Sequence, residues 1–491
     1  MNNTKFYKIL ITLSKDEFLD LEFFIKYITK ARPKCLQLFE IIKKAYKGSR
    51  YDWAKVNLEK PKVYFELYKT RMKNTNNIRE LSSEFYKHLK KYCAFLQFNE
   101  DEEMYFLRYL NKNEVNDLFE KEFKRIKDEN NKILGLDRLL KNVELTEFYE
   151  TYKIKKIIRE PTNLNQLMKD FNNFSNLKQL QLYNAALQNT FARNFEIDPE
   201  LERSSTEILN QFEINNNVKL LFQLYIDSIN MLKFKEEPKY ELLKTKIYKK
   251  FALISSYDLY GIMSSLISFC NQQIQKKSPT DALYYREELQ LHYFYMYNND
   301  LLSDGNYTPA QHIKNICSLA VLRIRETGRL QFSIQEAKEV IENSKQKTIP
   351  RFRESTYHFN IGTFYFFQNE YDNAVKAFES KTSYANPYFT FDAKLYLLKC
   401  YYLTDDDEKH EKLIIAFRVS LGRDKFFSLQ EKTSYSNSTK AIVNLQKIKI
   451  NIKFTYKHDS DTDIKKLKLF LKENSVQSSS WFLEQLEKLS S

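Results

Sequence analysis

The sequence predicts an all-α chain, an α-solenoid of antiparallel helical hairpins with a small helical unit at its start. Three observations predict it. Glycine and proline are scarce, 7 and 9 in 491 residues, which leaves few tight-turn residues for an all-β or α/β enzyme. Apolar residues recur at helical spacing through most of the chain. The breaks between these runs are short, and several carry helix-capping residues. A chain of this length needs several domains or one extended array, and its poverty in turns favours the array. Hydrophobic residues make up 43% and aromatic residues 15%, so there is ample material to bury and extensive disorder is not expected.

Residues 1–98 read as the N-terminal unit. Ser14 followed by Glu17 is a capping-box pattern, and Phe18, Leu19, Leu21, Phe23, Phe24, Ile25 and Ile28 supply an apolar face behind it. Pro33 opens a second segment, with Cys35, Leu38, Phe39, Ile42 and Tyr46 at helical spacing and Gly48 as its expected C-terminal cap. A third helix over 78–98 places Leu81, Phe85, Leu89, Tyr92 and Phe95 on one face.

Residues 99–430 form the expected array. Asp198-Pro199, Ser278-Pro279 and Thr308-Pro309 each set a capping oxygen before a proline, whose missing N–H costs nothing at the first helical position. Runs such as 220–232, 257–274 and 313–324 are apolar over wide arcs, as suits helices sandwiched between neighbours. Residues 431–491 read as closing helices. Within them 447–457 alternates like a strand, but Leu445, Ile448, Ile452 and Tyr456 also fit helical spacing. A lone strand would lack a partner, so helix is favoured. Trp481, Leu483, Leu486 and Leu489 are expected to anchor the end of the stack behind a cap at Ser478 or Ser479.

The best-defined repeat spans 355–388. Gly362 and Ala374 are small residues on two successive helices, and Tyr365 and Phe378 are large ones that fill the ends of the hairpin. These positions, with Pro387 closing, resemble the tetratricopeptide repeat (TPR). His358 stands where that family has a large aromatic, Lys381 where it has a small residue, and Pro387 falls one place late. A degenerate second hairpin follows roughly 36 residues on, with Leu398 for the small residue and His410 for the alanine. The whole chain is similar to a group of bacterial TPR-like proteins. That resemblance implies a helical solenoid and brings no activity.

Chemistry-bearing motifs are sparse. Seven scattered glycines build no phosphate-cradling loop. The six histidines and five cysteines show neither zinc spacing nor a disulfide framework, so no metal and no cofactor is expected. Asp459, Asp461 and Asp463 look like the start of a calcium loop, but Ile464 and Phe470 stand where glycine and glutamate are needed, so the aspartates read as a helix cap. Asn99 to Glu103 reads as an acidic helix start and Cys400 as buried packing. No signal-peptide core or membrane span is present, which makes a cytoplasmic protein the simplest expectation.

The expected function is therefore a non-enzymatic scaffold or adaptor that binds a protein or peptide, with Asn360, Thr363 and Lys394 on its groove. The alternative is a nucleic-acid-binding or regulatory protein using a basic groove, since the net charge is +14. Against it, the basic residues are spread along the chain, and Lys rises together with Asn, Ile, Tyr and Phe, the set that A/T-rich codons favour.

Overall fold

The structure is a computed structural model that describes the chain except for residues 3, 52, 54–55, 72–75, 99–101, 157–162, 194–195, 212–218, 278–280, 304, 306, 323, 325–332, 381–383, 385–386, 455–456 and 491. Every regular element among the described residues is helical, apart from two isolated backbone pairings. The chain divides into two compact units, Met1–Ser303 and Asp304–Ser491.

Unit 1 opens with α1 (Lys5–Leu10), α2 (Lys15–Phe23), α3 (Pro33–Gly48), α4 (Lys60–Tyr68) and α5 (Asn76–Phe98). The capping box forms: the Glu17 amide donates to Ser14 Oγ at 3.2 Å, and the Ser14 amide to Glu17 Oε2 at 2.7 Å. Behind it α2 runs into a π-helical turn, Phe24–Ile28, which turns Phe24 and Ile25 inward and leaves Phe23 and Ile28 exposed. Phe18, Phe39, Tyr46 and Trp53 make the aromatic centre of this core, Tyr46 and Trp53 stacking at 4.0 Å. Two expectations change here. Gly48 is the last helical residue, and the left-handed turn falls on Arg50 and Tyr51 instead. Phe95 lies exposed beyond the buried stripe of α5.

Unit 1 continues with α6 (Glu102–Lys112), α7 (Asn116–Asn130), α8 (Leu136–Lys155), α9 (Leu164–Arg193), α10 (Pro199–Gln211), α11 (Lys219–Phe234), α12 (Glu237–Lys250), α13 (Ser256–Lys276) and α14 (Leu283–Asn298). Helix α6 packs on α7, α8 on α9, α11 on α12 and α13 on α14, and α9 also packs on α11 and α13. Asp198 caps α10 as expected, its Oδ1 accepting from the Glu200 amide at 2.8 Å. The cap expected at Ser278 lies outside the described residues.

One long-range junction holds α8 to α13. The Leu134 amide donates to Leu253 O and the Ser255 amide to Leu134 O, both at 2.7 Å. Gly135 makes the approach feasible, because a Cβ there would lie 2.6 Å from the Ser255 side chain. Asp258, fully buried, accepts from the Leu136 amide (2.7 Å), Ser255 Oγ (2.9 Å) and Tyr225 Oη (2.6 Å). Burial holds this carboxyl above its ordinary pKa, against the pull of those three donors.

Unit 2 comprises α15 (Ala310–Leu322), α16 (Ile334–Lys347), α17 (Arg353–Phe367), α18 (Tyr371–Glu379), α19 (Pro387–Leu403), α20 (Asp407–Arg423), α21 (Leu429–Phe454), α22 (Lys457–Glu473) and α23 (Ser479–Ser490). At the start of α15 the Thr308 amide pairs with Lys347 O, and Pro309 O accepts from the amides of His312 and Ile313. Gly362 and Phe378 meet as their spacing predicts, for a Cβ on Gly362 would sit 2.8 Å from the Phe378 ring. The α17–α18 and α19–α20 turns are built alike. Asn369 and Asp405 both take left-handed φ, 62° and 57°. The next amides, of Glu370 and Asp406, return to Tyr365 O at 2.9 Å and Tyr401 O at 3.0 Å.

The alternating stretch 447–454 is helical, as the last two turns of α21; Tyr456 lies outside the described residues. Helix α22 begins at Lys457, so Asp461 and Asp463 sit inside it rather than before it. At the end of the stack Leu486 is buried, Trp481 and Leu489 are partly buried and Leu483 is exposed, so three of the four expected anchors pack. Ser478 takes φ 58° as the turn residue that leads into α23.

Candidate functional site

The partner contacts expected from the sequence lie on α17 and α19. Asn360 and Thr363 prove to be 2% and 3% exposed. Four helices, α15, α16, α18 and α19, pack on α17, so these residues face the interior and not an open groove. The Thr363 hydroxyl donates to Phe359 O in its own helix at 3.0 Å, whereas neither amide atom of Asn360 finds a partner among the described residues. Lys394 is half-buried; its ammonium donates to Ser420 Oγ at 3.0 Å and lies 5.3 Å from the Phe391 ring. The packing residues behave as expected: Gly362, Ala374 and Phe378 are buried and Tyr365 packs at the edge of the same core. Lys381 lies outside the described residues.

One helical turn beyond Lys394 in α19, and one residue further, stands Lys399, which the sequence did not single out. It lines a cavity of about 250 Å³ bounded by the α17–α18 turn, α19 and α23. Lys399 is 4% exposed, yet among the described residues its ammonium has neither a carboxylate nor a hydrogen-bond acceptor. Its neighbours are two rings, Tyr396 at 5.2 Å and Trp481 at 5.1 Å from the centroids. Asp392, two turns back along α19, is already held by Lys314 (2.5 Å) and Tyr435 (2.8 Å). Burial accordingly drives the lysine pKa down to about 8, with Asp392 and Cys400 opposing. At the rim Lys488 donates to Glu484 at 2.7 Å.

Unit 1 has a larger cavity, about 540 Å³, between α7, α8, α9 and α11. Its amides are spent on their surroundings. Asn130 donates to Arg138 O and Asn142 Oδ1, Asn142 to Asn131 Oδ1, and Gln166 to Asp170.

A titratable cluster also lies in unit 1. Tyr240, Lys244 and Tyr248 project from one face of α12 toward Glu288 and His292 of α14. Glu288 Oε2 accepts from Lys244 Nζ and Tyr240 Oη, both at 2.7 Å. Tyr240 thus has no proton left for His292, so His292 Nε2–H donates to Tyr240 Oη (2.8 Å) and Nδ1 accepts from Tyr248 Oη (2.9 Å). Burial, helped by Lys244, lowers the imidazole pKa to about 3, so the ring is neutral. Every member is satisfied and His292 is fully buried, so this is an internal polar brace. The signal for it was present as polar residues at i,i+4 on two apolar helices, though their pairing required the fold.

Cys35, Glu84 and His88 also converge, their ligand atoms lying within 4.8 Å of one another. Each has a structural occupation. Glu84 takes Arg32 through both oxygens, His88 Nδ1 meets Thr29 Oγ1 at 2.8 Å, and burial pushes the Cys35 thiol up to about 12. Cys400 and Cys317 are likewise buried thiols raised to about 12, as packing roles require.

Among the described residues, no helix is long and apolar enough to cross a membrane. No family model, no curated protein and no solved structure matches this chain.

Proposed function

We propose that this chain is a non-enzymatic protein-binding scaffold whose second unit contains TPR-like hairpins. The shared turn geometry at Asn369 and Asp405 and the tight Gly362–Phe378 contact support the hairpin assignment. The observation that carries the binding role is the outward face of α6. Its inner face is fixed by buried Met104, Leu107 and Leu110. Outward it presents Tyr105, Phe106 and Tyr109 at 44%, 41% and 62% exposure, with Arg108 over the Tyr105 ring at 5.4 Å.

Exposed aromatics beside an arginine on a rigid helix are the residue types that dominate protein interfaces, because they bury much apolar area at little entropic cost. The partner is a protein surface with an apolar groove for the two tyrosines and a carboxylate for Arg108. Some basic residues elsewhere are paired within the chain; Arg125, for example, holds Glu103, Glu122 and Glu129.

Affinity capture with the full chain tests the proposal, comparing wild type with the double variant Tyr105→Ser, Tyr109→Ser. The variant keeps its helical circular dichroism and loses a partner that wild type retains. Capture of the same proteins by both, or of none by either, sinks it.

A further inference from the structure

We infer that the cavity at Lys399 is a binding site for a carboxylate carried on an aromatic or apolar stem. A buried ammonium without a counter-charge is costly, and proteins pair such groups or neutralise them. Among the described residues Lys399 has no carboxylate partner: Asp392 is held by Lys314 and Tyr435, and Glu484, on the same cavity, pairs with Lys488. An anion entering the cavity would supply what the fold withholds.

The walls specify the rest of the ligand. Phe366, Tyr396 and Trp481 present ring surface, and buried Gln485 adds an amide at the same cavity. A cavity of about 150 Å³ holds a benzene ring, so the 250 Å³ here has room for one ring and a carboxylate. Trp481 stands over the ammonium at 5.1 Å, which makes its emission a reporter of occupancy. The inference concerns unit 2 alone and is independent of the α6 face.

The test uses the full chain carrying Trp53→Phe, so that Trp481 is the single tryptophan. Phenylacetate is titrated while Trp481 emission is followed, with phenylacetamide as the neutral control. Saturable binding of the acid is expected, with the amide about thirtyfold weaker, the loss that follows when one partner of a desolvated charge pair is removed. Lys399→Met should weaken phenylacetate by a similar factor, its fold checked by circular dichroism. The amide control needs no mutation, so it stands even if that variant misfolds.

A second arm replaces phenylacetate with a short peptide ending in phenylalanine, as free acid and as C-terminal amide. Tighter binding of the acid peptide than of phenylacetate assigns the site to a chain terminus, and the reverse order to a small metabolite; either supports the site. Equal binding of acid and amide, undiminished binding in Lys399→Met, or no binding of any carboxylate overturns it.

Discussion

Two buried charges in this chain are treated in opposite ways. In unit 1 Glu288 lies in the interior with Lys244 and Tyr240 both donating to it, and His292 and Tyr248 complete the chain of hydrogen bonds. In unit 2 Lys399 is as deeply buried, and among the described residues two ring faces lie over its ammonium and no carboxylate pairs with it. Depth alone therefore does not reveal what a polar group is for. The hydrogen-bond ledger around it does: a closed ledger marks a brace, and an open one marks a place where something from outside can bind.

The comparison breaks most visibly on the closed side. Glu288→Ala leaves Lys244 and Tyr240 without their acceptor, and removing one partner of a buried pair costs about 3–5 kcal/mol. Hydrogen exchange of the α12 and α14 amides should accelerate accordingly, while unit 2 amides keep their protection.

On the open side the sign reverses. Lys399→Met removes an uncompensated charge and should stabilise unit 2 by about 3 kcal/mol at pH 7, since each unit of pKa shift is worth about 1.4 kcal/mol. The folded-state pKa lies near 8 against an ordinary 10.5. Between those values the unfolded chain holds the proton that the folded chain has released, so wild-type stability rises with pH across that window. Denaturant melts at pH 7 and pH 10 should show the rise in wild type and its absence in the variant.

The imidazole gives a smaller effect in the acid range. His292 is neutral when folded down to about pH 3, whereas the unfolded ring protonates near its ordinary 6.5. Its contribution is complete above 6.5 and is lost as pH falls from there toward 3. His292→Gln should flatten the pH dependence of stability between pH 6 and pH 4 by up to about 1.4 kcal/mol per pH unit.

Two matched capping boxes calibrate both sides, Ser14 with Glu17 in unit 1 and Ser333 with Glu336 in unit 2. Ser14→Ala and Ser333→Ala should each cost about 1 kcal/mol. A marked inequality would show that the units respond differently to the same local insult, and the contrast above would then need correcting for it.

Much of the fold was legible because helices declare themselves locally. The Ser14–Glu17 box, the proline at the start of α3 and the Gly362–Phe378 contact all follow from residues near one another in sequence. Even 447–454 yields to its helical spacing once no strand partner exists. The failures are tertiary. Asn360 and Thr363 were placed on a groove because they occupy the first helix of a hairpin, but α15 and α16 cover that helix, and nothing local to 353–367 announces it. Lys399 was invisible for the complementary reason. A lysine in a helix reads as solvated, and its isolation depends on where Asp392 sends its two oxygens and where α23 comes to rest.

The junction between Leu134 and Ser255 bears on the order in which unit 1 is completed. Most pairings in the molecule join neighbouring helices, which form quickly because little chain must be gathered. The bond from the Leu136 amide to Asp258 spans 122 residues. During synthesis the start of α8 emerges long before its acceptor exists, so the amide-to-carboxylate closure belongs to the last stage of assembly. A nascent chain stopped short of Ser255 carries hairpins already formed and a Gly135 turn with nothing to close against.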